Sequence, residues 1–516
     1  RKRVTRVASF NWSDFRCRIF WVKTGSGTSY AGLDKGLYCY LKLFLVHSIT
    51  MHSSLRWLLV ATIVCCTRHL AQAGIYTSKY VTKDIAHDIS YGLYNLARDL
   101  SVQLQDKTSK SEIISPLSIG SSMLLLLRTA KGSTRQELLQ LMGLTKYQEN
   151  NPKIPRNFAH LMNELLFDNV TEKSALDYNV PWKSQSKCEV TDYHYDGEDS
   201  DYDYDRFDNL PEDPSLKNVV KLANAIFVQD GLYNNSRLNR LVDKYYRSRV
   251  ESLDFHSNPG EAKNHINKWA DKNTNGRIRE IISDDLSTET TMVVANALYF
   301  KAFWEDVFLA GATKMRKFFP NGENEESVEA EIMAHGGCFP YYKSSELDAR
   351  IMGFPYKNRT TTMYIVLPNS STRVKLQHLM EKLDAATMDD LISNMTMQTA
   401  SVLFPKMHLT TSFELKSALQ SLGTKSMFVR GQSNFSLLNP AETNETRSSL
   451  SVSGVLHKVD LAIDESGTEG AAVTATLLDR SMPTVNFRAI VPFLLAIRHD
   501  ATKLLLFYGP VYDPSA

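Results

Sequence analysis

The sequence lacks most of the marks that would make it an enzyme, a metal protein or a membrane protein. Downstream of residue 74 it has no G-x-S-x-G, no H-E-x-x-H and no paired-cysteine metal motif. Dinucleotide and phosphate-loop signatures and internal repeats are missing as well. A bilayer-spanning helix needs about 20 apolar residues. The apolar stretch from Trp57 to Cys66 is shorter than that and is broken by Thr67, Arg68 and His69.

Cysteine is scarce where it would matter. Cys17, Cys39, Cys65 and Cys66 precede residue 74, which leaves Cys188 and Cys338 and excludes a disulfide framework as the basis of the fold. Whether those two pair, stay free or join another chain is not legible from spacing. The helical first third has no compact Lys/Arg stripe, so glycosaminoglycan, nucleic acid and membrane partners are not expected, nor is a metal or cofactor.

What is present is ordinary globular material: 516 residues, 43% hydrophobic and 22% charged, enough for a large core. The first methionine is Met51. It opens a segment with His52 and Arg56, then the apolar stretch, then Ala71 and Ala73. Residues 51–73 are therefore expected to be a cleaved secretory signal, and residues 1–50 a non-native leader. Residues 1–50 hold nine Lys or Arg against two Asp or Glu, and the signal adds Arg56 and Arg68. The remainder then carries about −7 against +2 for the whole chain. N-x-Ser/Thr sequons at Asn169, Asn234, Asn358, Asn369, Asn394, Asn434 and Asn444 suit an exported protein, expected to be a monomer with residues 74–516 forming one domain.

Ile85, Ile89, Leu93, Leu96 and Leu100 recur at helical spacing, which predicts an amphipathic helix on a core. Ser115-Pro116-Leu117-Ser118 offers a cap and a first-turn proline before the apolar run Met123 to Leu127, so a buried helix is expected there. Leu222 to Val228, Thr291 to Tyr299, Thr361 to Leu367 and Leu494 to Leu506 read as strands. Helices early and strands late predict an α+β fold with mostly antiparallel pairing. Between residues 172 and 214 the apolar residues thin out. Glu189 to Asp213 holds eleven Asp or Glu against Arg206, the composition of an acidic surface insertion.

Ser111 to Leu144 resembles the serpin segment built on SPLS and a G-x-T-x-x-E helix turn, matched here by Lys131, Gly132, Thr134 and Glu137. LKNVVKLANAIFVQDG, TMVVANALYFKAFWEDVF and HKVDLAIDESGTEGAAVTAT follow in the same order. This resemblance implies helices around a large, mostly antiparallel central sheet plus two smaller sheets, with a reactive loop over about residues 465–486. It implies a hinge made of Glu465, Gly467, Thr468, Glu469, Gly470, Ala471, Ala472 and Thr474. It also implies a sheet-opening cluster of Ser115, Ser118, Asn296 and His457, with Trp304 where insertion begins. The implied role is that of a suicide substrate for an extracellular trypsin-like serine protease, not an enzyme. A member that has lost inhibition and works as a carrier, chaperone or storage protein is the alternative.

In such proteins the cleaved loop enters the main sheet as a strand, so alternate residues must be small. Thr468, Gly470, Ala472, Thr474 and Thr476 pass that requirement, and Glu469 falls on the opposite phase. Counting from Gly467 in the family's manner gives Ser481-Met482 as the reactive bond. Arg480 suits the acidic pocket of a trypsin-like enzyme and favours Arg480-Ser481. Cutting after Leu478 or Ser481 by an elastase-like enzyme stays open. Tyr193, Tyr195, Tyr202 and Tyr204 lie among the acids of the insertion. That segment resembles the acidic, tyrosine-bearing segment of the heparin cofactor type, which implies an exosite for a basic protease surface.

Overall fold

The computed structural model describes residues 82–515, apart from 107, 148–150, 168–175, 177, 187, 189–218, 234, 358, 439–449 and 469–482. Four helices come first: α1 (Lys83–Gln103), α2 (Pro116–Thr129), α3 (Gly132–Leu141) and α4 (Lys153–Phe167). The apolar stripe of α1 is buried as its periodicity requires, from Ile85 to Leu100. In α2, Ser115 caps the helix by accepting from Ser118 N, and Pro116 occupies the first turn. All its residues but Arg128 are buried, so α2 runs through the core and not over it.

The central sheet has six strands in the order β2-β1-β3-β11-β10-β9. They are β1 (Val219–Gln229), β2 (Ser248–Leu253), β3 (Met292–Phe303), β9 (Met407–Glu414), β10 (Gly454–Ile463) and the two-residue β11 (Gly467–Thr468). Helices α5 (Ser236–Tyr246) and α6 (Pro259–Asn273) flank β2 in sequence. On one face of the sheet, Ala223, Ala225 and Phe227 of β1 pack in a small cluster with Ile266 and Trp269 of α6.

A second sheet has eight strands along β12-β8-β5-β6-β7-β13-β14, with β4 added against β5. They are β4 (Lys314–Phe318), β5 (Val328–Ser344), β6 (Ala349–Pro355), β7 (Thr361–Pro368), β8 (Thr396–Pro405), β12 (Val485–Arg488), β13 (Phe493–His499) and β14 (Leu504–Val511). The two smaller sheets expected are joined because the long β5 pairs with β4 and β8 along one part of its length and with β6 at its end. Helices α7 (Arg373–Lys382), α8 (Ala385–Ser393) and α9 (Lys416–Ser421) interrupt the strand-rich second half. The single strand expected from Leu494 to Leu506 is a hairpin, because Asp500 and Thr502 form a buried turn between β13 and β14. Glu112 to Ile114 is extended, with Ile114 bridged to Tyr508.

The insertion is not wholly at the surface. Val180 and Trp182 are buried, and Cys188 is joined to Cys338 of β5 across 150 residues. Among the described residues no helix is long and apolar enough to cross a membrane, and no group of metal-ligating side chains forms a metal site.

Candidate functional site: the hinge and the gap in the central sheet

The site is a gap between β3 and β10. These strands pair directly and in parallel from Gly454↔Val293 to Val459↔Leu298. Beyond that, the chain turns back after β10 and inserts β11 between them, with Gly467 opposite Phe303 and Thr468 opposite both Ala302 and Ile463. Thr468 is fully buried, so the first inward-facing residue of the loop is already in the sheet.

The turn needs glycine at 467. Its φ is +153°, and a Cβ there would meet the Ala302 carbonyl at 2.1 Å. Asp464 stabilises the turn by accepting from the backbone N–H of Ser466 at 2.9 Å and of Gly467 at 3.1 Å. The Trp304 indole N–H donates to the Asp464 carbonyl at 3.0 Å, and its ring stacks on Tyr356 with centroids 4.5 Å apart. Tyr356, fully buried, has its phenol 2.8 Å from the Thr468 hydroxyl. Phe308 N–H donates to the Glu465 carbonyl at 2.8 Å.

Glu465 is held from two sides. Thr313 donates to it at 2.7 Å, and the Lys406 ammonium lies 3.1 Å away. Partial burial opposes ionisation, but the Thr313 hydroxyl and the Lys406 ammonium outweigh it and keep the carboxyl below its ordinary value.

The polar residues expected to form a sheet-opening cluster lie beneath, where α2 meets the strands. Asn224, Asn296 and His457 stand directly opposite one another on β1, β3 and β10. Ser115 N–H donates to His457 Nε2 at 2.9 Å, Ser118 Oγ donates to Asn224 Oδ1 at 2.6 Å, and Ser122 Oγ donates to Asn296. Burial pushes His457 down to about 3, so it stays neutral and can accept that bond. The four expected residues thus meet in one place. Two members, Ser122 and Asn224, were missed. Asn224 could have been noticed as the polar residue of the apolar run ANAIF, but nothing in Ser122 distinguishes it from its serine neighbours.

Trp304 lies not in this cluster but at the hinge. Glu469 onward, with Gly470, Ala471, Ala472, Thr474 and the bonds at Arg480, Ser481 and Met482, lies outside the described residues, as do Tyr193, Tyr195, Tyr202 and Tyr204. Of the sequons, Asn169, Asn234, Asn358 and Asn444 are also outside. Asn394 is exposed at the end of α8, while Asn369 and Asn434 are half-buried.

A family described as Serpin (serine protease inhibitor) matches residues 92–514. The chain is 34% identical over 464 residues, 86% of its length and 82% of the other's, to Serine protease inhibitor 28Dc of Drosophila melanogaster. It is 32% identical over 330 residues, 60% of this chain and 83% of the other, to the leukocyte elastase inhibitor of Equus caballus. Among solved structures, human thyroxine-binding globulin with its ligand superposes with a TM-score of 0.64 at 22% identity, covering 84% of this chain and 99% of that one. Uncleaved ovalbumin gives 0.63 at 22%, covering 83% and 100%. Likeness at that identity carries the fold alone. With that family matching residues 92–514 and a relative 34% identical over most of both chains, the chain belongs to the serpin family, whose members include protease inhibitors and proteins that do not inhibit.

Proposed function

We propose that the protein is a secreted inhibitor that traps a trypsin-like serine protease as a covalent acyl-enzyme. One observation carries this reading: Thr468 already occupies the gap, and its register can be continued. Running β11 on along β3 brings Gly470 opposite Phe300, Ala472 opposite Leu298, Thr474 opposite Asn296 and Thr476 opposite Val294. All of these face the core, and none of the entering residues is large or charged. Glu469 then comes opposite Lys301, which is half-exposed, so its charge meets solvent and a cation. Thr474 arrives beside the Asn296–His457 row, where a hydroxyl has polar partners.

In the trapping step the protease's serine hydroxyl adds to the Arg480 carbonyl, the Arg480–Ser481 amide breaks, and the Ser481 amine leaves. Arg480 stays esterified to the enzyme. From Thr468 to Arg480 an inserted strand covers roughly 40 Å at about 3.3 Å per residue. Insertion thus drags the ester across the molecule and distorts the enzyme before water completes hydrolysis. The protein is consumed as a substrate, and its own side chains need no nucleophile or oxyanion hole. The acidic insertion, with Tyr193, Tyr195, Tyr202 and Tyr204, supports a preference for a protease with a basic surface outside its cleft.

The test is incubation with trypsin and with an elastase, denaturing gels and sequencing of the released C-terminal peptide. A stable covalent band with a peptide starting at Ser481 is expected. A start at Met482 moves the bond to Ser481. Clean cleavage with no covalent band overturns the inhibitor in favour of a carrier or storage serpin.

A further inference from the structure

The chain from Tyr178 to Cys188 is absorbed by neither the hinge nor the loop, yet it is built into the body. At its start, Lys503 lies 4.0 Å over the Tyr178 ring. A short 3-10 turn, Pro181–Ser184, then puts Trp182 fully inside the protein, with the Arg359 guanidinium 5.9 Å from its indole. The Lys183 ammonium, itself nearly buried, reaches the buried carboxylate of Asp500 at 2.6 Å and donates to the Arg359 carbonyl.

Arg359 has a left-handed backbone, φ +54°, a conformation that a non-glycine residue keeps only when its surroundings impose it. Its side chain reaches both oxygens of Glu305, at 2.9 and 2.8 Å. Glu305 follows Trp304, which holds Asp464 and stacks on Tyr356, the partner of Thr468. At the other end, Gln185 Oε1 accepts from Met397 N at 3.0 Å, and Cys188 is bonded to Cys338. Cys338 faces Thr399 of β8, whose carbonyl accepts from Thr484 N at 3.0 Å, where the chain re-enters the sheet after the reactive loop. Two strand spacings, about 10 Å, separate Cys338 from Thr484.

This segment therefore touches the supports of both ends of the loop. We propose that Tyr178–Cys188 is a brace that restrains loop insertion: it fixes the Arg359 turn and Glu305 behind the hinge and pins its far end through the disulfide. The hinge is the two-state element, with Thr468 as its present stop. Removing the brace frees the Trp304–Tyr356 wall to move as the gap widens.

The brace rests on the reading that the central sheet takes up the loop as a strand, and the experiment separates the two. The full chain is incubated with a labelled synthetic peptide of the sequence Thr468 to Ser481, and uptake into the sheet is followed. Trp182→Ala, and Cys188→Ser with Cys338→Ser, are expected to take up the peptide at least fivefold faster than the unaltered protein. Leu138→Ala, a cavity in the remote α3, controls for simple loss of stability and is expected to stay near the unaltered rate. Glu305→Gln is expected to speed uptake alone but to add nothing to Trp182→Ala, because both act through one chain of contacts. Unchanged uptake in the brace variants, an equal effect of Leu138→Ala, or additive effects of Trp182 and Glu305 overturns the brace. Failure of every protein, the unaltered one included, to take up peptide overturns insertion itself and the brace with it.

Discussion

The Tyr356 phenol and the Thr468 hydroxyl lie 2.8 Å apart, 112 residues from each other in the chain, and both are buried. A residue just beyond the end of β6 thereby holds the first inserted residue of the loop. Tyr356→Phe removes this bond with little change in volume and should destabilise the seated hinge by about 1 kcal/mol. The fraction of molecules with Thr468 withdrawn then rises about fivefold. Protease nicking near residue 468, in protein that otherwise melts normally, reads this directly.

Thr468→Arg places a long cation where no exposed surface remains, opposite Ala302 and Ile463. Burying an unpaired charge costs more than insertion can tolerate. The variant is expected to fold with its hinge expelled, to be cut by trypsin at an undiminished rate and to form no lasting covalent complex. A stable complex at normal yield would show that seating residue 468 is not required for trapping.

Deleting Glu189 to Asp213 removes ten net negative charges without touching the loop or the disulfide. The association rate with a protease carrying a basic exosite should fall at low salt and converge with that of the full chain as salt rises. Equal rates across ionic strengths would mean that the insertion plays no part in capture.

Three histidines contribute to the pH response. Burial pushes His457 down to about 3, and His335 and His499 down to about 4. All three are neutral in the folded protein, whereas the unfolded chain takes up a proton on each below about 6.5. Stability is therefore complete above about pH 6.5 and falls as pH drops towards 4, by at most about 1.4 kcal/mol per pH unit for each histidine. Thermal melts between pH 7.5 and 4.5 should show this decline, and His457→Gln should flatten it.

Cys188–Cys338 closes a loop of 150 residues. On chain entropy alone such a link stabilises by about 5 kcal/mol. Mild reduction, or replacement of both cysteines by serine, should lower the melting temperature markedly. An unchanged melt would mean that the docking of Trp182 and Lys183 already supplies the constraint.

Much of the fold was legible because the relevant patterns are local. The stripe from Ile85 to Leu100 and the capped, buried α2 needed only helical spacing and a serine before a proline. Of the hinge, Gly467 was legible because a turn at that point needs glycine, while Glu469 to Thr474 lie outside the described residues. The Leu494 to Leu506 run misled because an apolar run does not mark its own turn when the turn residues are themselves buried. The docked part of the insertion was hidden among residues whose average composition is polar. One buried tryptophan and one paired lysine are too few to shift a composition signal.

The sequence by itself determined the family and much of the order of elements, since each is written in spacing and residue type along short stretches of chain. Only the tertiary structure decided that Thr468 is already seated, that Tyr356 holds it, that Asn224 and Ser122 complete the polar cluster, and that Cys188 finds Cys338. These are contacts between residues whose side chains are ordinary in isolation. Their energy comes from burial and from the partner that folding brings within reach, and neither is a property of any local stretch of sequence.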